Sequence, residues 1–288
     1  MSERLLLCVD LDRTLLPNGP EPESAGAREH FKLLVSRPEV TLVLVTGRDR
    51  ELVDQAIEEY HLPLPDFVIG DVGTTLYAIR SQQRWEPLDE WQREIAQDWL
   101  GLTSRDLCDQ LHDYHGLRLQ ERTKQNTFKL SYYTSPDCAR EYLSALIQAR
   151  LLPGGIKARL VWSIDEPAGV GLLDVIPARA SKLHALEALL RLRGFAAEET
   201  VFCGDSGNDL EVLESQLPSV LVANATAEVR QQAWARAAEQ GHAGQLYLAH
   251  GGFMGMNGCY AAGILEGVAY FRPMVIPWMG FGEGQTAP

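Results

Sequence analysis

The sequence predicts an α/β protein: a doubly wound, Rossmann-like parallel sheet carrying an inserted α+β domain. Three observations lead there. Runs rich in Val, Leu and Ile, without strict alternation, recur at residues 5–9, 40–45, 66–69, 172–176, 200–203 and 219–222. Such runs suit strands covered on both faces of a parallel sheet. Helical patterns lie between them, and strand–helix alternation is the mark of a doubly wound core. The middle of the chain breaks the pattern: four of the six tryptophans, Trp85, Trp91, Trp99 and Trp162, and the Tyr132–Tyr133 pair fall between Gln82 and Gly171.

Taken in order, the strand over 5–9 leads to a helix over 28–35, a strand over 40–45, and a helix over 51–60 with Leu52, Ala56 and Ile57 on one face. After the strand at 66–69, the inserted segment reads as helices at 91–100 and 104–115, a strand at 126–133, a helix at 137–150 and a strand at 157–162. Period-two alternation is visible in Phe128-Lys129-Leu130-Ser131-Tyr132. The α/β pattern resumes near Leu172. The helix over 181–193 is the best signalled: Ser181 is a natural N-cap, Leu183, Leu186, Leu189 and Leu190 form an apolar stripe, and Gly194 stands at the C′ position. The division expected is a core of residues 1–81 and 172–288 with an inserted domain at 82–171. The Gly- and Pro-rich tail, 272–288, is expected to strap the surface or fray.

Composition limits the function. The 288 residues include 26 basic and 39 acidic side chains, a net charge of −13. Such a surface repels polyanions, so nucleic acid is not expected as a partner; one basic pocket still suffices for a small phosphorylated substrate. Five cysteines without a CxxC pair read as reduced thiols of a cytoplasmic protein. No run reaches the ~18 apolar residues of a membrane span, and Asp10 and Asp12 interrupt the N-terminal apolar stretch too early for a signal peptide.

Four short motifs carry chemistry. Val9-Asp10-Leu11-Asp12-Arg13-Thr14 places two carboxylates at the end of the first strand. They could serve a nucleophile and a proton carrier, or only open a solvated turn. Val45-Thr46-Gly47-Arg48 offers a hydroxyl and free amides to a phosphate oxygen, or a plain strand-to-helix turn. Lys182 stands in the first turn of its helix, against the dipole, a placement that makes sense beside an anion, although an exposed lysine is the simpler alternative. Gly204-Asp205-Ser206-Gly207-Asn208-Asp209 collects more hard oxygen donors at a strand end, suited to Mg²⁺, in a sequence that could also be a turn. A doubly wound sheet would gather all four along one edge.

In combination the four motifs resemble those of the haloacid dehalogenase (HAD) superfamily of phosphatases, and the inserted domain resembles a type IIB cap. Asp71-Val72-Gly73-Thr74-Thr75-Leu76-Tyr77, Val222-Ala223-Asn224-Ala225, Tyr247-Leu248-Ala249 and Ala262-Gly263-Ile264-Leu265-Glu266-Gly267 are similar to segments of its sucrose-phosphatase branch. The resemblance implies a Mg²⁺-dependent sugar phosphatase with Asp10 as nucleophile and Asp12 as general acid/base. It implies that Asp10, Asp12 (by its carbonyl) and Asp205 hold the metal, that Thr46, Gly47 and Lys182 hold the phosphate, and that Asn208 and Asp209 orient the metal's surroundings. Asn126 and Lys129 of the cap become the candidates for sugar contact. The family often has Gly or Asn where this chain has Arg13. Sucrose 6-phosphate leads as substrate, with mannosylfructose phosphate, glucosylglycerol phosphate and mannosyl-3-phosphoglycerate as alternatives. A phosphomutase on the same scaffold is a more remote one. A receiver domain is excluded by length, since it has no room for the insert, and a metal-dependent glycosyltransferase would leave Lys182 and the 204–209 cluster unexplained.

Overall fold

The computed structural model describes residues 4–80, 84–165 and 168–281. In chain order the first half comprises β1 (Leu5–Val9), α1 (Ala27–Val35), β2 (Val40–Val45), α2 (Arg50–Glu59), β3 (Phe67–Gly70), β4 (Thr75–Arg80), β5 (Arg84–Pro87), α3 (Asp89–Ala96), α4 (Ser104–Leu111), β6 (Arg118–Leu119) and β7 (Leu130–Thr134). There follow α5 (Arg140–Leu151), β8 (Ala158–Asp165), β9 (Val170–Pro177), α6 (Lys182–Arg193), β10 (Thr200–Gly204), α7 (Leu210–Leu213), β11 (Ser219–Leu221), α8 (Ala227–Glu239), β12 (Leu246–Leu248) and α9 (Ala261–Phe271).

Eight strands form the main sheet in the order β12-β11-β10-β1-β2-β3-β4-β5. The first six run parallel, and β4 and β5 are antiparallel additions. The apolar runs form this sheet because both of its faces are buried. Leu5, Leu7 and Val9 point to one side and pack with Phe31, Ile264 and Val268; Leu6 and Cys8 point to the other and pack with Leu186 and Leu189. Period-two geometry thus divides one continuous apolar strand between two cores. Capping residues set the helix starts: Asp49 accepts the Leu52 amide at α2, Ser181 the His184 amide at α6, and Thr226 the Val229 amide at α8.

A second, four-stranded antiparallel sheet, β6-β7-β9-β8, forms with α3, α4 and α5 the α+β portion expected of a cap. Two expectations are corrected here. The run at 172–176 is not a strand of the parallel sheet: β9 pairs antiparallel with β7 and β8. The cap sheet runs to Pro177, and β5 keeps the main sheet going to Pro87. An apolar run states that a strand is buried, not against which neighbours. Residues 126–129, expected to begin a strand, form instead a tight turn closed by an Asn126–Lys129 bridge, and β7 starts at Leu130. In the tail, a 3₁₀ helix at Pro273–Met279 buries Val275, Ile276 and Met279 against the sheet's helical cover, so it straps the surface; the remainder, 282–288, lies outside the described residues.

Candidate active site

The strand order puts the carboxyl ends of β1, β2 and β10 side by side. Val9 is level with Leu44 on one neighbour and with Cys203 on the other. Asp10 is thus the first residue past a central strand, and its amide donates to the Cys203 carbonyl at 2.9 Å. Thr46 follows β2 and Asp205 follows β10, both buried. Lys182 comes from the start of α6 and reaches the same point. Its approach depends on Gly73, whose φ is +93° and where a Cβ would lie 2.4 Å from the Ser181 carbonyl carbon and oxygen.

Lys182 is the hub. Its Nζ donates to Asp10 Oδ1 at 2.7 Å, to Asp209 Oδ1 at 2.7 Å and to Asn208 Oδ1 at 3.0 Å. Burial works to lower the ammonium's pKa, but Asp10 and Asp209 outweigh it and hold the lysine above its ordinary value. Asp209 is fully buried, and its Oδ2 also accepts from the Asp205 and Ser206 amides, each at 3.2 Å. Gly204 permits this packing, because a Cβ there would lie 2.6 Å from that carboxylate. Asp205 meets Thr14 Oγ1 at 3.5 Å and Arg13 Nε at 3.7 Å.

The carboxylates are poorly neutralised. Burial, with Lys182 pulling the other way and Asp209 and Asp205 adding to the rise, pushes Asp10 up to about 8. Burial and Asp209 push Asp205 up to about 6, against the pull of Arg13. One oxygen from each of Asp10, Asp205 and Asp209 lies within 4.8 Å of the others. Asp209 already spends both oxygens on Lys182 and on two amides, whereas Asp10 Oδ2 takes no hydrogen bond from the described residues. Hard oxygens, crowded and short of positive charge, fit a divalent cation.

Asp12 points elsewhere. Its carboxylate forms a two-pronged pair with Arg48, Nη2 to Oδ1 at 2.6 Å and Nε to Oδ2 at 2.8 Å, and Asn18 Nδ2 donates to Oδ1 at 2.8 Å. Burial works to raise Asp12, but Arg48 and Asn18 outweigh it and hold the carboxyl below its ordinary value. Sequence reasoning gave Arg48 no part, although it directly follows Thr46-Gly47. It also missed Asn224, whose amide donates to the Arg13 carbonyl at 2.6 Å and accepts the Tyr260 amide at 2.9 Å. That link braces the loop after Asp12, where Arg13 holds a φ of +62°. The quoted Val222-Ala223-Asn224-Ala225 segment was its only signal.

The two cap candidates face the core. Lys129 is buried and donates to Asp71 Oδ1 at 3.2 Å, and Asn126 Nδ2 donates to Thr74 Oγ1 at 2.9 Å. Both partners lie in the loop that contains Gly73, so these side chains join the cap to the loop that supports Lys182. Gly47 is exposed, with open space around its Cα. A cavity of about 440 Å³ opens beside Lys182 and Asn208, between the core and the cap strand that bears Arg159 and Trp162.

A buried aspartate past a central strand, a threonine and a second aspartate past its neighbours, a convergent lysine and a cap over the whole define a phosphoric monoester hydrolase of the HAD class. The chain belongs to the sucrose-6F-phosphate phosphohydrolase family, whose model matches residues 3–272. It is 51% identical over 287 residues to a HAD-like hydrolase of Nitrosococcus oceani, covering 100% of this chain and 77% of that one. It is 32% identical to the mannosylfructose-phosphate phosphatase of Agrobacterium fabrum, over 78% of this chain and 85% of that one. Sucrose-phosphatase 1 of Nicotiana tabacum is 30% identical over 93% of this chain, which spans 59% of the tobacco protein's length. Among solved structures, the sucrose-phosphatase of Synechocystis superposes with a TM-score of 0.69 at 23% identity, covering 93% of this chain and 98% of that one, which shows a shared fold. No helix among the described residues is long and apolar enough to cross a membrane.

Proposed function

We propose that this protein is a Mg²⁺-dependent phosphatase of small phosphorylated sugars that works through an aspartyl-phosphate. The observation that carries the reading is the Lys182 hub: a buried ammonium holding Asp10 and Asp209, with Asp205 alongside. Asp10, Asp205 and the Asp12 carbonyl would hold Mg²⁺. When bound, the ion supplies positive charge against the carboxylates and the incoming phosphate. Asp10 attacks phosphorus, and the bond from phosphorus to the sugar oxygen breaks. Asp12, once it has left Arg48 and Asn18 and taken up a proton, gives that proton to the sugar oxygen, then takes one from the water that attacks the phospho-aspartate and frees phosphate and Asp10. Thr46, the Gly47 amide and Lys182 bind the phosphate oxygens, and Asn208 and Asp209 hold Lys182 in place. The α+β cap, expected at 82–171 and built on the sheet β6-β7-β9-β8, covers the sugar and excludes water, with Asn126 and Lys129 at its seam with the core.

Sucrose 6-phosphate is the leading substrate, supported by the family match over residues 3–272. Mannosylfructose phosphate is the second, since the phosphatase named for it is 32% identical and matched over 85% of its length. The test is phosphate release from a panel of glycosyl phosphates with Mg²⁺ present. Release that stops on chelation and in Asp10→Asn is expected. Undiminished turnover after chelation, or phosphate returned to the sugar instead of to water, overturns the reading.

A further inference from the structure

The cavity beside Lys182 has one polar feature that the phosphatase chemistry does not use. Arg159, on cap strand β8, and Glu211, on core helix α7, both line it, with Trp162, Val72 and Asn208. The two side chains meet across the seam in a two-pronged pair, Nη1 to Oε2 at 2.7 Å and Nη2 to Oε1 at 3.0 Å. Both remain about a third exposed, 35% and 32%, so their edges stay open to a ligand. His184 Nδ1 stands 3.8 Å from Glu211 Oε1 and 2.8 Å from Ser181 Oγ. The other charged group on this wall, Lys182, is already matched by Asp10 and Asp209. The chamber has the size of a small-ligand site.

We propose that Arg159 and Glu211 are specificity-determining residues, which select a neutral, hydroxyl-rich leaving group over one that carries a carboxylate. This rests on the sugar-phosphatase reading and narrows it. A fork of donors held against a carboxylate offers donors and acceptors side by side, the complement of neighbouring sugar hydroxyls, while the pair adds no net charge to the chamber. A carboxylate on the leaving group finds Arg159 already matched and meets Glu211 as a like charge. Selection against it then comes from the repulsive partner as much as from the attractive one.

The experiment compares kcat/KM, with Mg²⁺, for a neutral disaccharide phosphate and for a phosphorylated glycoside bearing a carboxylate. It uses the unaltered protein, Glu211→Gln and Arg159→Gln, each checked for an intact fold by thermal melting. In Glu211→Gln the unmatched guanidinium attracts the carboxylate, and the neutral-to-anionic ratio falls about tenfold or more. In Arg159→Gln the unmatched carboxylate repels it, and the ratio rises while KM for the neutral substrate increases. A pair that merely fastens the cap would lower both substrates together in both variants. Parallel losses with an unmoved ratio, or shifts of the same sign, therefore overturn the proposal. If the unaltered protein releases phosphate from neither compound nor from any other glycosyl phosphate, it is the phosphatase reading that fails; if it does release phosphate and the ratio stands still, only the role of the pair fails.

Discussion

Lys182 opens a helix, where the dipole disfavours a cation, and it is buried, where a lone charge is costly. Both penalties are offset by the same partners, Asp10 and Asp209, each at 2.7 Å. Those partners are left with more negative charge than one ammonium can balance, and the consequence is measurable. Asp10 and Asp205, raised to about 8 and about 6 from an ordinary 3.8, keep protons in the fold at pH values where the unfolded chain has lost them. Stability of the metal-free protein therefore decreases as pH rises from roughly 4 to 8. Mg²⁺ binds the ionised pair, so it raises Tm more at pH 8 than at pH 6. Thermal melts across pH, with the ion and with chelator, check this; an equal Mg²⁺ effect at both pH values contradicts the assignment. Asp12 gives a second prediction. Asp12→Asn keeps the side chain's shape but cannot shuttle a proton, so kcat for a sugar phosphate drops by ~10²–10⁴. The loss is smaller for an aryl phosphate, whose leaving oxygen needs less help. Steady-state kinetics on both substrates decide it, and equal losses would remove the acid role.

At the scale of elements, the site depends on how α6 is brought to the sheet edge. Ser181 and Gly194 mark the ends of α6 plainly in the sequence because capping is local chemistry. The main-sheet strands at 5–9, 40–45 and 200–203 are equally legible, because burial on both faces leaves an unbroken apolar run. The four motif positions 10, 46, 182 and 205 follow from them, each lying where such a strand ends or a helix starts. The strand at 172–176 was legible as a strand but not as part of the cap sheet, since sheet membership is a matter of long-range pairing. β12 has three residues, too few for a periodic signal. Arg48 and Asn224 escaped because their partners, Asp12 and the Arg13 carbonyl, lie 36 and 211 positions away. Gly73 is the backbone counterpart of these side chains: its φ of +93° and its contact with Ser181 leave no room for a Cβ. Gly73→Ala is expected to cost at least ~1–3 kcal/mol and to lower kcat by displacing Lys182. Gly244→Ala, where a Cβ meets nothing within 4 Å, is the control. Urea midpoints and kcat for both variants test the pair, and indistinguishable variants would sever the link between this loop and the lysine.

For the whole molecule, the question is what holds the cap over the core. Among the described residues five ion pairs cross the seam, Arg191–Glu94 and Arg179–Asp98 included, and they are unequal. Lys124–Asp49 and Arg159–Glu211 are partly exposed, whereas Lys129 and Asp71 are 7% and 8% exposed. Exposed pairs contribute little and are screened by salt. A buried pair behaves differently: breaking it by removing one partner strands a charge in low dielectric, although removing both can be nearly neutral. Asp71 is further committed, with Thr75 Oγ1 on its other oxygen at 3.2 Å and a φ of +51°. Burial raises its pKa even with Lys129 beside it. Lys129→Met should therefore destabilise the protein by ~3–5 kcal/mol. Adding Asp71→Asn, which removes the stranded charge and tolerates the left-handed backbone, should restore ~1–3 kcal/mol of that loss. Urea denaturation of the two single variants and the double one gives the coupling directly, and repeating it in about 1 M salt should leave the coupling nearly unchanged, because the pair is shielded from ions. Additive losses, or a coupling that vanishes in salt, would mean that the seam is held by apolar packing and that Lys129 is free to turn toward a substrate.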